Sequence, residues 1–280
     1  MPIDAAFYRT IEPLFQPGFG TESVGPLLYS LVRMTRPRNV LEVGLGYTSP
    51  FIALALKDNL DEFAADRALI AARPAKGGLD DTSPENQRRS ILDADFCARD
   101  YEPRLHVIDN FSIAGTTAPL VLDALKALEL DFAVVPHEGD FRGLSAKLDA
   151  RSLPFDFVWF DCGGFPEYLD FLAEYWPLIN PDHGLLLLHF TYWYLTMERD
   201  GREIGKLLSG PIANEIKRQQ MAAGFDGRFE ALSLVEPHKT SQGSVTMVRK
   251  LPPESMTRNS DFREEMFEIF GQAAGSMVKL

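Results

Sequence analysis

The sequence predicts an α/β fold in which a largely parallel sheet is sandwiched by helices. Three observations carry that expectation. Short apolar runs at Val40–Val43, Arg104–Asp109, Phe132–Pro136, Phe155–Phe160 and Leu185–Leu188 alternate with helix-length amphipathic segments. The first run passes into a turn with glycines at Gly44 and Gly46 and then into a helix, the arrangement that presents backbone N–H groups to a ligand. The alternation ends in two runs, Phe229–Val235 and Gly243–Val248, that read as an antiparallel pair, an ending a nicotinamide-binding sheet would not ordinarily have.

Composition bounds the class. The 280 residues, 45% of them hydrophobic, suffice for one large α/β domain with a substantial insertion. A single domain over 1–280 is expected, with a helical N-terminal cover (1–35), a helical insertion (about 58–103) and a helical tail (about 252–280) placed at an interface, such as that of a homodimer. No apolar run is long enough to span a membrane, and the N-terminal residues lack a basic flank followed by an apolar core. Cys97 and Cys162 do not make a disulfide framework, so a cytoplasmic location is expected. The net charge of −12 argues against nucleic acid as the main partner, because phosphate binding relies on basic surface. A small-molecule substrate, or a carrier-bound one, fits better.

Taken in order, Asp4–Phe15 suggests a short helix with Phe7, Ile11 and Leu14 on one face, broken by Pro17-Gly18-Phe19-Gly20. Ser23–Met34 is a stronger helix feeding the first strand. Thr48 or Ser49 is the N-cap of the next helix, and Pro50 takes its first position, where a missing N–H costs nothing. Residues from Asp58 to Pro103 far exceed an ordinary connection. They hold a helical pattern at Asp61–Ala72, a breaker run at 74–78, and a helix from Ser83-Pro84-Glu85 to about Arg99. A lid or dimerisation arm and a solvated helical pair are both open readings. Further helices are expected from Thr117 or Ala118 to about Leu128, from Phe165 to Leu178, and from about Ile212 to Ala223.

Glu42 lies inside the first apolar strand, two residues before Gly44, where a carboxylate is costly unless it meets a partner. The pattern Glu-x-Gly-x-Gly after a strand resembles the first motif of class I S-adenosylmethionine-dependent methyltransferases, with Thr48 at the family's usual third glycine. The pattern G-P-L-L-Y-S-L-V followed by N-V-L-E-V-G is similar to the corresponding part of the catechol and caffeoyl-CoA O-methyltransferases, as is FDFVWFD followed by W-P-L-I-N-P-D-H-G-L-L-L-L-H. The resemblance implies a Rossmann-like seven-stranded sheet. It implies that Glu42, Gly44, Gly46, Thr48 and Ser49 form the turn around the methionine part of the cofactor, with Thr21 to Ser23 covering it. It assigns Asp109, beside Asn110, to the ribose hydroxyls, since a carboxylate can accept both hydrogens. Phe111 and Ile113 would form an apolar edge, and Asp140 with Phe141 would meet the adenine, although a plain turn at Asp140 is also open.

The catechol-type enzymes use a divalent metal held by an acid ending strand four and an Asp-Asn pair ending strand five. Asp161 matches the first, but the pair falls on Phe190 and Thr191, which cannot supply those ligands. A related acid and histidine fall on Gly163 and Gly164. No metal site is therefore expected. His189, at the carboxyl edge of the sheet, is the candidate base, with Asp161 as the other catalytic candidate. A hydrogen-bonded structural histidine is the alternative, and His106 and His137 are further strand-end histidines. Tyr192 and Trp193, with Tyr194 following, could line a flat acceptor pocket or belong to the core. The resulting expectation is a metal-independent S-adenosylmethionine-dependent methyltransferase acting on a small-molecule hydroxyl or amine. A catalytically inactive S-adenosylmethionine-binding or scaffold protein and a nicotinamide-dependent oxidoreductase are the alternatives.

Overall fold

The apolar runs build a sheet whose central strands are buried on both faces. In the computed structural model, which describes residues 3–72, 83–162, 165–191, 197–204, 215, 218, 228–239 and 242–251, strands β1 (Asn39–Val43), β2 (Arg104–Asp109), β3 (Val134–Glu138), β4 (Phe157–Phe160) and β5 (Leu185–His189) run parallel. Two short strands, β6 (Met197–Arg199) and β7 (Arg202–Ile204), form a separate hairpin that the sequence pattern did not suggest. Strand β9 (Ser244–Leu251) pairs antiparallel with β5, and β8 (Arg228–Val235) pairs antiparallel with β9 at the sheet edge. The order is β3-β2-β1-β4-β5-β9-β8. The chain thus winds outward from β1 in one direction and then, from β4, in the other, and the carboxyl ends of β1 and β4 mark the switch point where α/β sheets collect ligands.

Side chains of successive strand residues face opposite layers. Val40, Val107, Trp159 and Leu187 pack with Leu28 and Phe51 on one side. Leu41, Val43, Ile108, Phe160 and Leu186 pack with Phe171 and Tyr175 on the other. Helices α1 (Ala5–Ile11), α2 (Val24–Thr35), α3 (Ser49–Ala71) and α6 (Ala118–Ala127) contribute to the first layer, and α7 (Phe165–Tyr175) to the second. Asp4 caps α1 by accepting from the amides of Ala6 and Phe7. Among the described residues no helix is long and apolar enough to cross a membrane.

The insertion departs from the expectation. There is no separate helix at 61–72, because α3 runs unbroken for 23 residues. Its buried polar residues are satisfied by α2: Asn59 donates to the Val32 carbonyl at 2.9 Å, and Arg33 donates to Asn59 Oδ1 at 2.6 Å. After residues 73–82, which lie outside the described set, Ser83 caps α4 (Pro84–Ile91) by accepting from the Asn86 amide. The expected single helix to Arg99 is broken, since Leu92 and Asp93 turn extended and the Asp93 carboxylate caps a second helix, α5 (Ala94–Ala98). Strand β3 starts at Val134, because Asp131–Ala133 forms a 3₁₀ turn. Most of the expected helix at 212–223 and the whole tail, 252–280, lie outside the described residues.

Candidate functional site

The glycine turn sits at the switch point. At Gly44 φ is +101°, and a Cβ there would come within 2.6 Å of the Asp161 carbonyl oxygen, so the turn can pass the end of β4 only as glycine. The Leu45 amide donates to Asp109 Oδ2 at 2.7 Å, and the Gly46 amide donates to Ser49 Oγ at 3.1 Å. The sequence reading had these amides facing a ligand; here the chain's own side chains take them. Thr48 is the N-cap by position, yet its side chain makes no capping bond. Its hydroxyl instead donates to Glu42 Oε1 at 2.9 Å and accepts from Trp159 Nε1 at 3.2 Å.

Glu42 is fully buried, and its Oε2 has no hydrogen-bond partner. Burial pushes its carboxyl up to about 8, the hydroxyls of Ser49 and Thr48 pull against that shift, and the nearby charges of Asp161 and Asp109 add to it. Asp109 is half-buried and also shifted upward, chiefly by burial. Its Oδ1 lies 3.5 Å from the Thr116 hydroxyl.

A cleft of about 170 Å³ opens along the carboxyl ends of these strands, lined by Gly44, Asp109, Asn110, Asp140, Arg142 and Glu167, with Ile113 and Cys162 among its other walls. Asn110 Oδ1 accepts from the Ser112 amide and hydroxyl. Ile113 is exposed at the cleft, whereas Phe111 packs against the core. Asp140 accepts from the Arg142 amide at 2.9 Å and meets its guanidinium at 3.2 Å. The Phe141 ring, expected to pack an adenine, is only 3% exposed, is flanked by Phe160, Phe171 and Tyr175, and has the Arg142 guanidinium 4.7 Å above it.

Asp161 and His189 meet at the ends of β4 and β5, with Nδ1 of the imidazole 2.8 Å from Asp161 Oδ1. The other ring nitrogen, Nε2, lies 3.1 Å from the Gln242 carbonyl. A carbonyl can only accept, so Nε2 carries a hydrogen. Burial alone would push this imidazole down, but the Asp161 carboxylate and the Gln242 carbonyl overcome it and the shift is upward. His189 is 2% exposed and both of its ring nitrogens are engaged within the chain. His106 and His137 face each other at 3.0 Å on β2 and β3, apart from the cleft lining. Tyr192 and Trp193 lie outside the described residues.

No protein-family model and no curated protein matches the chain. Solved structures do. TomG, an O-methyltransferase of Streptomyces achromogenes involved in tomaymycin synthesis and solved with S-adenosylmethionine, aligns at a TM-score of 0.52 and 17% identity over 89% of this chain and 91% of its own. An O-methyltransferase from Bacillus cereus in complex with S-adenosylhomocysteine aligns at 0.52 and 14% identity over 89% and 92%. The chain has the class I methyltransferase fold. At these identities the likeness is one of fold, and the residues must speak for the chemistry.

They do not fit the catechol-type metal. Asp161 Oδ1 is committed to His189. Thr191 is fully buried, and its hydroxyl bonds Thr246 Oγ1 at 2.6 Å inside the sheet. Phe190 offers no side-chain oxygen. Among the described residues no group of three or more His, Cys, Asp or Glu side chains could hold a metal ion. Three contributors escaped the sequence reading. Arg142 could have been suspected from its place two residues after Asp140, and Glu167 from its place at the start of α7. Gln242 could not, because it acts through its backbone carbonyl, which no residue type advertises.

Proposed function

We propose that this protein is an S-adenosylmethionine-dependent methyltransferase that acts on a hydroxyl or amine of a small molecule without a divalent metal. The observation that carries the reading is a cleft at the carboxyl edge of a methyltransferase fold that gathers the glycine turn, Asp109 and Asp140, with Asp161 ending β4 beside Gly44. The residues fit the cofactor. Asp109 holds the turn with one oxygen and can offer the other to ribose hydroxyls, Asp140 stands at the β3 end for an exocyclic amine, and the acidic edge favours a cation. The cofactor, when bound, supplies an electrophilic methyl group on a sulfonium.

The chain's own part is alignment. Asp161, fixed by His189, accepts the hydrogen of the acceptor's O–H or N–H and orients its lone pair. Asp161 takes the catalytic place, and His189 acts through it. The positions of Phe190 and Thr191 support metal independence, and the net charge of −12 supports a partner other than nucleic acid.

Titration calorimetry tests the cofactor. S-adenosylmethionine should bind the native protein, and Asp109→Ala should weaken it about tenfold, the loss expected for a hydrogen bond to a charged group. Unchanged affinity in Asp109→Ala would remove that residue from the ribose site. Binding of a nicotinamide dinucleotide in place of S-adenosylmethionine would overturn the reading.

A further inference from the structure

His189 also touches a part of the chain that lies far from the strand ends in sequence. Its Nε2 partner, Gln242, stands in the turn between β8 and β9 with φ of +58°. Against Gln242 lies Gly20, itself at φ +66°, in the segment that leads into α2. The approach is close. A Cβ on Gly20 would come within 2.6 Å of both Cβ and the carbonyl oxygen of Gln242, the same oxygen that meets the imidazole.

A second tie joins the same two segments. Lys239 donates to the Gly20 carbonyl at 3.3 Å and pairs with Glu22 at 2.6 Å and with Glu236 at 2.7 Å. The Lys239 side chain is 13% exposed, whereas its partner Glu22 is 39% exposed. Thr21, between Gly20 and Glu22, is buried, and its carbonyl accepts the amides of Val24 and Gly25 that open α2. Gly25 in turn lies directly on the Phe51 ring, behind the glycine turn.

From this chain of contacts we infer that Glu236, Lys239 and Gln242, between β8 and β9, form a positioning clasp. It seats the segment around Gly20 and Glu22 with one side and, through Gln242 and His189, fixes the Asp161 carboxylate with the other. His189 and Gly20 are positioning residues in this scheme, since each acts through Gln242 or Asp161. The clasp deepens the methyltransferase reading, and its consequence for ligand binding rests on that reading. A displaced Gln242 carbonyl would free one imidazole N–H, and the ring would then be held by Asp161 alone.

The test uses the full chain with imidazole nitrogens labelled, read by NMR, together with calorimetry using S-adenosylhomocysteine as the probe. Gly20→Ala should move the His189 Nε2 resonance and weaken the probe by about tenfold, the equivalent of one hydrogen bond to a charged group. Gly18→Ala is the control, because a Cβ there meets nothing within 4 Å. Lys239→Met cuts the second tie without placing a side chain in the contact and should move the same resonance less, which keeps the test decisive if Gly20→Ala does not fold. A His189 resonance that is unmoved in both variants overturns the clasp. If the native protein does not bind S-adenosylhomocysteine, the cofactor reading falls, and the imidazole signals alone decide the clasp.

Discussion

Thr48 connects two buried groups that would otherwise be costly, the carboxyl of Glu42 and the indole N–H of Trp159. Its fully buried surroundings leave no water to replace it. Thr48→Val keeps the shape and removes the hydroxyl, so it should destabilise the protein by about 2–3 kcal/mol, as expected when buried polar atoms lose their partner. Thr48→Ser should stay within about 1 kcal/mol, and urea titration of the two variants separates the outcomes. The costly carboxylate at Glu42 was legible, because an acid inside an apolar strand is unusual. Its partner was not, since Thr48 and Ser49 read equally as caps and only the fold brings Trp159, 111 residues away, to the hydroxyl. The surroundings of His189 were not legible for a related reason. A histidine at a strand end carries no sign of whether its second nitrogen is free, and here the answer comes from a backbone carbonyl 53 residues on.

Strands and most helices were readable as elements, because central strands buried on both faces demand continuous apolar runs and their crossovers demand amphipathic helices. The run Arg104–Asp109 has the same ends in the sequence reading and in the structure. The insertion was not readable, because α3 carries acids on the side that meets other elements. Asp66 is fully buried on α3 and is paired with Arg36 of the α2 C-terminus at 2.8 Å and with Arg88 of α4 at 2.7 Å. Glu62, one turn earlier, meets Arg33, Arg36 and Arg88. A period count treats these acids as solvent-facing and ends the buried helix too soon. Asp66→Ala would leave Arg36 and Arg88 sharing only the Glu62 carboxylate. It should cost about 3 kcal/mol, the lower end for breaking a buried pair, since both arginines keep some access to water. The exposed pair between Arg67 and Asp100 should contribute under about 1 kcal/mol, so Asp100→Ala is the comparison. Equal effects in chemical denaturation would show that the α2–α3–α4 cluster is not the anchor of the insertion.

For the molecule as a whole, the buried titratable groups oppose one another across pH. The Glu42 carboxyl, held at about 8 by burial, keeps its proton in the folded chain over a range where the unfolded chain has lost it. Its contribution is therefore fully present below about pH 4.5 and is lost as pH rises towards 8. His189, shifted upward despite burial, adds a loss that starts near pH 6.5, its unperturbed value, and continues through its raised one. His106 works in the other direction: burial first, then the facing His137, pushes it down to about 4, so folding is favoured above pH 6.5 and loses ground as pH falls to 4. Burial also lowers His137, which adds to that acid limb. The two limbs overlap between about pH 4.5 and 6.5, where thermal stability should peak broadly, falling on either side. Glu42→Gln removes a buried acid without changing its shape and should flatten the alkaline limb between about pH 5 and 8. The His106→Phe variant takes away the lowered imidazole and should flatten the acid limb, worth on the order of 3 kcal/mol for a shift of that size. Melting temperatures across pH 4 to 9 for the native chain and both variants check each limb separately. If Glu42→Gln leaves the alkaline limb unchanged, the Glu42 carboxyl is ionised in the folded chain, and the protonated acid beneath the glycine turn must be given up.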